Sequence, residues 1–458
     1  MEEATGSIPV HSTRKSQFAM SWLFSYTKEN MFKNFIQKRL ESITRRYFKK
    51  RKIKLVVVTG SVGKTSTKMA IATVLAEKYT VRVHEGNHNT HLSAPLAMLG
   101  IEYPENVHSV SAWIAVWRAA GIRMRQKDDA EVVVQELGTD HPGDIAHFGN
   151  YLRPDIAVVT AVSAEHMEFF ETMGAVAKEE LSVASFAQLT IVNRDDVSQD
   201  YAKYADTHQI DTYGLQEGAE YQMVLQPSSP LEGQIGQLKA PEWGELPVTL
   251  QVISEQGVKA ATAAAVVGAK LGLTSQQIAV GVSKVRAVKG RMNLLRGLEG
   301  SILIDDTYNA SPLAVEAALK TLYAIEAGQR IAILGSMNEL GKMSARAHEQ
   351  AGAYCDPAKL EWVVTIGAEA EKYLAPAAAK KGCQVKSFMS PYDAGGFVHS
   401  VLRPGGVVLA KGSQNGVFAE EALKVLLHET EEETSLVRQS PAWLARKSEQ
   451  FSHEPTID

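Results

Sequence analysis

Little in this chain could serve a disulfide scaffold, a membrane span or a nucleic-acid surface. Of its 458 residues only two are cysteine, Cys355 and Cys383. Two cannot build a disulfide framework and supply no metal-site spacing, so a reducing cytoplasm is the expected setting. No segment approaches the ~20 apolar residues of a transmembrane helix. The apolar patch Phe18 to Phe24 is too short and no small-residue cleavage site follows it, so no signal peptide is expected. The formal net charge of −4 lacks the basic excess that nucleic-acid binding calls for. No nucleic-acid partner is expected. What is present is ordinary soluble composition, 45% hydrophobic and 22% charged, with length enough for two or three domains.

Residues 1–16 are polar and without periodicity, which predicts a disordered start. Residues 26–52 read as a helix, because Phe32, Ile36, Leu40, Ile43 and Tyr47 recur on one face. The rest of that helix is basic, ending in Lys49–Lys52. It reads as an amphipathic helix docked on the next domain, with a solvated basic face. Contact with an anionic membrane surface or substrate is the sharper alternative.

From residue 53 strands alternate with helices: Leu55–Val58, Val81–His84, Val132–Glu136, Ile156–Thr160 and Thr190–Asn193 are the strand candidates. Alternation of this kind predicts an α/β fold with a mostly parallel central sheet. A second, smaller Rossmann-like α/β block begins near Ile302. The expected division is 1–52 start and basic helix, 53–292 central domain, 293–436 C-terminal domain and 437–458 a loose charged tail.

The loudest phrase is "VVTGSVGKTST" (Val57–Thr67), lying between a β-branched run and a helix. Gly60-Ser61-Val62-Gly63-Lys64-Thr65-Ser66 is shorter between its glycines than the general phosphate-loop signature, but the physics is the same. The glycines let backbone N–H groups face phosphates. Lys64 would reach the β/γ-phosphates, and the Thr65 hydroxyl would bind Mg²⁺. The positive end of the following helix adds to the attraction.

Further phrases give the loop a context. "GNHNTHLSAPLAML" (Gly86–Leu99), "QELGTDHPGDI" (Gln135–Ile145), "SAEHMEFF" (Ser163–Phe170), "VNRDD" (Val192–Asp196), "KGRMN" (Lys289–Asn293), "IDDTYNASP" (Ile304–Pro312), "LGSMNELG" (Leu334–Gly341) and "AKGSQNG" (Ala410–Gly416) stand in that order. Together they resemble the motifs of the Mur ligase family, ATP-dependent amide-bond ligases of peptidoglycan synthesis. They are most similar to the MurF type, which joins D-alanyl-D-alanine to a UDP-N-acetylmuramoyl-tripeptide.

The resemblance implies ATP and Mg²⁺ as cofactors and a site completed by closure of the two domains. Thr65 and Glu136 would hold a first metal, with His166 and Glu180 at a second. Asn87, Asn89 and Thr90 would line the acceptor and phosphate side. Arg291 would meet the nucleotide from the hinge, and Asp306, Tyr308 and Asn309 would meet adenine and ribose. Ser336, Asn338 and Glu339 resemble the following loop, and Lys411 and Ser413 are candidates for the incoming amine. A peptidoglycan precursor and D-Ala-D-Ala are the implied partners of a monomer.

The chain departs from the pattern in places. Glu180 stands where many Mur ligases carry a carbamylated lysine; it could replace the carbamate, or Lys178 could be the modified residue. "SEQGVKAA" (Ser254–Ala261) has Gln256, Gly257 and Ala260 in place of the usual His-Asn pattern, and Gln414 replaces a frequent arginine. About 52 residues precede the ATP core, less than the usual UDP-binding domain. The alternatives are therefore a Mur-type ligase with another acceptor (a lipid-linked precursor, a folate or a poly-amino acid), or a nucleotide-binding regulator without ligase activity.

Overall fold

The computed structural model describes residues 13–104, 106–127, 130–163, 167–205, 209–227, 231 and 233–451. Of the disorder expected over residues 1–16, residues 1–12 lie outside them, as does His166, while residues 13–16 are helical. Helix α1 spans Thr13–Lys50 and starts earlier than the sequence predicts. Its apolar stripe docks as expected: Ile36, Leu40, Ile43 and Tyr47 are buried against Leu96, Leu99, Trp113 and Val116. Those partners lie on and beside helices α3 (Ser93–Leu99) and α4 (Val110–Arg125), while α2 is Lys64–Leu75 and α5 is Asp144–Phe148.

The first sheet contains β1 (Lys54–Thr59), β2 (Val81–Val83), β3 (Val132–Glu136), β4 (Ile156–Val159), β5 (Leu189–Asn193), β6 (Ile210–Gly214), β7 (Tyr221–Leu225), β8 (Gln234–Ala240) and β9 (Gly244–Leu250). Their order is β2-β3-β1-β4-β5-β6-β7-β8-β9. Pairing is parallel through β7 and antiparallel at β7–β8 and β8–β9. β1 and β3 are almost continuously apolar because helices cover both faces of this part of the sheet. The Ala-rich helix Glu255–Lys270 packs on α2, its small side chains allowing close approach. β1 lies between β3 and β4, so the chain leaves it in one direction and later returns to its other side. Ligands of open α/β sheets bind outside the carboxyl ends of strands at such a reversal.

A second sheet contains β10 (Asn293–Arg296), β11 (Ile302–Asp306), β12 (Arg330–Gly335), β13 (Trp362–Ile366), β14 (Val385–Phe388) and β15 (Val407–Lys411), ordered β10-β11-β15-β12-β13-β14. Only β10 runs antiparallel to its neighbour. The passage between the domains is tied to this second unit. The Gly290 N–H donates to Asp305 Oδ2 at 2.8 Å, and its carbonyl accepts from the Tyr308 N–H at 3.0 Å. Gly290 is thereby held by the second unit. Burial pushes the Asp305 carboxyl up to about 6, against the hydrogen bonds it accepts from Thr307 and Gly290.

The tail differs most from expectation. In place of a loose segment after residue 437, a helix occupies Pro441–Phe451. Its Lys447 is fully buried. The Lys447 ammonium lies 2.5 Å from Glu421 Oε1, 2.9 Å from Glu420 Oε1 and 2.9 Å from the Arg438 carbonyl. Arg438 pairs with Glu420 and donates to the Thr307 and Tyr308 carbonyls at 2.6 and 3.0 Å. Tertiary ion pairing orders this segment, which is why its local composition reads as loose. Among the described residues no helix is long and apolar enough to cross a membrane.

Candidate active site

The phosphate loop follows β1 into α2. Gly60 adopts φ 123°, and a Cβ there would lie 2.2 Å from Thr160 Oγ1 and 2.8 Å from the Ala161 nitrogen. Only glycine fits that turn. Gly63, at φ 90°, starts α2 and lets its N-terminal end face the cavity. Ser61, Val62, Gly63, Lys64, Thr65 and Ser66 all line one cavity of about 1080 Å³. The Lys64 ammonium lies over the loop, 2.5 Å from the Gly60 carbonyl.

Glu136 ends β3, in register with Val58 just before the loop. Its carboxylate is fully buried, and neither oxygen has a hydrogen-bond partner. Buried carboxylates are ordinarily paired or bound to a metal. Here the Lys68 ammonium stands 3.4 Å from Oε2, without hydrogen-bond geometry. Burial lowers the Lys68 pKa; Glu136 opposes that shift and Arg291 adds to it. Carboxylate oxygens without a hydrogen bond are hard donors of the kind that suits Mg²⁺. Glu136 lies beneath the cavity surface, not on it. Sequence reading missed Lys68; its place one helical turn after Lys64 was the available signal.

Arg291 crosses from the second unit. Its Nη2 donates to Thr65 Oγ1 at 3.1 Å, its guanidinium lies 4.2 Å from the Tyr308 ring centroid, and its Nε is buried without a partner. Arg291, expected to meet the nucleotide from the hinge, thus stands beside the phosphate loop. Asp306, Tyr308, Asn309 and Glu339 line the same cavity. So do Asn87, Asn89 and Thr90, although the Thr90 hydroxyl also bonds Ser93 at the start of α3. Gln256, Gly257, Ala260 and Gln414, where the sequence departs from the family pattern, face the cavity too.

Other candidates are placed differently. Lys411 reaches the cavity, but its ammonium is buried in an ion pair 2.6 Å from Asp306 and a bond to the Asn309 carbonyl at 2.9 Å. Ser413 is 1% exposed and does not line the cavity; its hydroxyl accepts from the Asn338 N–H at 2.9 Å. The Ser336 hydroxyl accepts from the Ala370 N–H. These two serines brace the loops of the second unit, and the amine-binding expectation for Ser413 has no support in this arrangement.

Glu180 is buried on the helix Met173–Leu181 and turned toward the loop. Its Oε2 accepts from the Gly60 N–H at 2.7 Å and from the Thr59 hydroxyl. Lys178 is exposed on the same helix, which argues against its being a buried carbamylated ligand. Glu179 instead accepts from the Gly143 and Ile145 N–H groups, both at 2.6 Å, at the start of α5. A carboxylate built into the chain needs no CO₂. Activity is therefore expected to be unchanged when bicarbonate is stripped from the assay. Glu180→Gln, which keeps an acceptor but loses the charge, should cost about 10- to 100-fold in activity. Full activity and metal dependence in Glu180→Ala would remove Glu180 from the site.

Residues 58–268 match the Mur ligase middle domain, and residues 290–414 match the Mur ligase, glutamate ligase domain. The chain belongs to the Mur ligase family. As a Mur ligase it is an ATP-dependent ligase. It is 27% identical over 395 residues to the UDP-N-acetylmuramoyl-tripeptide–D-alanyl-D-alanine ligase of Bacillus subtilis, covering 85% of this chain and 79% of that one. It is also 27% identical to the same ligase of Rickettsia prowazekii, covering 69% of this chain and 66% of that one. The crystal structure of the MurF ligase from Thermotoga maritima in complex with ADP superposes with a TM-score of 0.71 at 25% identity, covering 87% and 84%. These findings agree with the α/β expectation, with its two sheets, and with the Mur ligase resemblance.

Proposed function

We propose that this Mur ligase carries out the MurF-type reaction, joining D-alanyl-D-alanine to a UDP-N-acetylmuramoyl-tripeptide with conversion of ATP to ADP and phosphate. The observation that carries the chemistry is the meeting of the phosphate loop and Arg291 from the second unit on one cavity. The ligases named above support the choice of substrates.

Two bond exchanges make up the reaction. A carboxylate oxygen of the acceptor bonds to the γ-phosphorus as the bridging P–O bond breaks and ADP leaves. The dipeptide amine then bonds to the acyl carbon, the C–O bond to phosphate breaks, and the amine gives up a proton. In the first exchange anions must meet. Lys64 and the loop N–H groups draw the β/γ-phosphates, and the Arg291 guanidinium stabilises charge growing on the transferred phosphoryl group. Thr65 and Glu136 would hold Mg²⁺, which when bound neutralises the facing oxygens. His166 and Glu180 are proposed for a second metal. Walls from both units exclude water from the acyl phosphate. Lys411 acts through Asp306, fixing the strand end that faces the nucleotide. A cytoplasmic monomer is the proposed working form.

The test is phosphate release from ATP with the UDP-linked tripeptide and the dipeptide, together and separately, with the product weighed by mass spectrometry. Release only with both, and a product heavier by the dipeptide less water, is the expected result. ATP turnover needing neither substrate would overturn it.

A further inference from the structure

The nucleotide wall is only one end of the cavity. Beyond the phosphate loop the same space is bounded by α1, through Phe32, Lys33, Ile36 and Gln37, and by Tyr103 and His108 of the α3–α4 connection. The floor there includes His91, whose Nδ1 is buried without a hydrogen-bond partner. Phe32 is the one member of the predicted apolar stripe left exposed, at 38%, although the residues after it on the stripe are buried. A hydrophobic position spared from the core but set in a cavity wall is available to a ligand.

α1 is a fixed wall. Gln37 donates to Glu41 at 2.9 Å, and Glu41 bonds His147 of α5 at 2.7 Å. One turn and a half further on, the Tyr47 hydroxyl accepts from Arg82 at 2.7 Å. The helix as a whole is strongly positive, and its Lys33 lines the cavity. Between residues 31 and 50 stand seven lysines and arginines against Glu41 alone. A field of that sign beside a cavity mouth concentrates anionic ligands.

We propose that this α1 wall is the acceptor's distal subsite, which receives a nucleoside diphosphate. Lys33 faces the diphosphate and the Phe32 ring meets the planar base. The inference rests on the proposed function: the reacting carboxylate must lie at the phosphate-loop end, which sends the other end of the acceptor toward α1. Neither residue takes part in the core, so their replacement leaves the fold intact.

The experiment compares two acceptors, UDP-N-acetylmuramoyl-tripeptide and the same muramoyl-tripeptide without the uridine diphosphate, in the full-length wild-type chain and in Lys33→Glu and Phe32→Ala. Wild type should show the lower KM for the UDP-linked acceptor. Lys33→Glu should raise that KM about tenfold and erase the preference, because a like charge now faces the diphosphate. Phe32→Ala should act in the same direction. The KM for ATP and the kcat at saturating acceptor should stay at wild-type values in both. Equal KM values for the two acceptors in wild type, or an unchanged preference in both variants, would overturn the subsite while leaving the ligase reading in place. Turnover of neither acceptor by wild type would overturn the ligase substrates themselves, and the subsite with them.

Discussion

Glu136→Gln is expected to lower kcat by at least about a hundredfold, on the scale of losing one preorganised electrostatic group. The substitution keeps the shape of the side chain and removes only its charge. In the structure that charge is buried, has no hydrogen bond, and faces an ammonium at 3.4 Å. Stability alone is weak ground for such an arrangement, since a buried ion pair without hydrogen bonds to the carboxylate is often no better than an apolar pair. The neutral amide also leaves the buried Lys68 ammonium without its countercharge, so a lower thermal midpoint is expected as well. The turnover of the folded enzyme separates a metal-binding role from a structural one. A structural role alone predicts activity that falls only as far as the folded fraction falls; the metal role predicts a folded enzyme of low kcat whose activity responds less to added Mg²⁺. Steady-state kinetics across a Mg²⁺ series, with a melting curve on the same sample, decides between them.

Lys447→Met is expected to have the largest effect on stability, a loss of about 3–5 kcal/mol. Methionine fills much the same volume, so the loss comes from charge. Glu420 and Glu421 are both fully buried, and Lys447 lies within 3 Å of each. Removing it leaves Arg438 to neutralise two carboxylates while also holding the Thr307 and Tyr308 carbonyls. The substitution should also weaken nucleotide binding, because Tyr308 lies under Arg291. Chemical denaturation measures the first effect and ADP titration the second. A midpoint within experimental error of wild type would show that the network contributes nothing net.

Much of this architecture was legible in the sequence, for identifiable reasons. β3 was bounded correctly because buried parallel strands are short β-branched runs flanked by polar residues. The phosphate loop was legible because tight turns demand glycine. Residues whose role depends on a partner distant in the chain were not. Lys447 and Lys68 read as surface charges until the carboxylates they meet are known. Ser413 looked available because nothing in "AKGSQNG" announces the Asn338 N–H that engages its hydroxyl. Phe32 was counted with the core stripe, since periodicity names a face without showing where the body beneath it ends.

The ties at Gly290 constrain any swing of the two units that closes the proposed site. With that residue bonded to Asp305 and Tyr308, backbone rotation between the two units is confined to the few residues between the helix ending at Lys284 and Gly290 itself. Arg291 is then the first residue on the moving side, almost at the pivot, whereas Glu339 lies further out on the arm. A given angle of swing moves a point in proportion to its distance from the axle. The guanidinium therefore travels a short arc and stays near Thr65 while the outer loops sweep a wide one. Entry and exit of nucleotide through such a joint would proceed from the adenine side, like a door whose bolt is mounted beside its hinge.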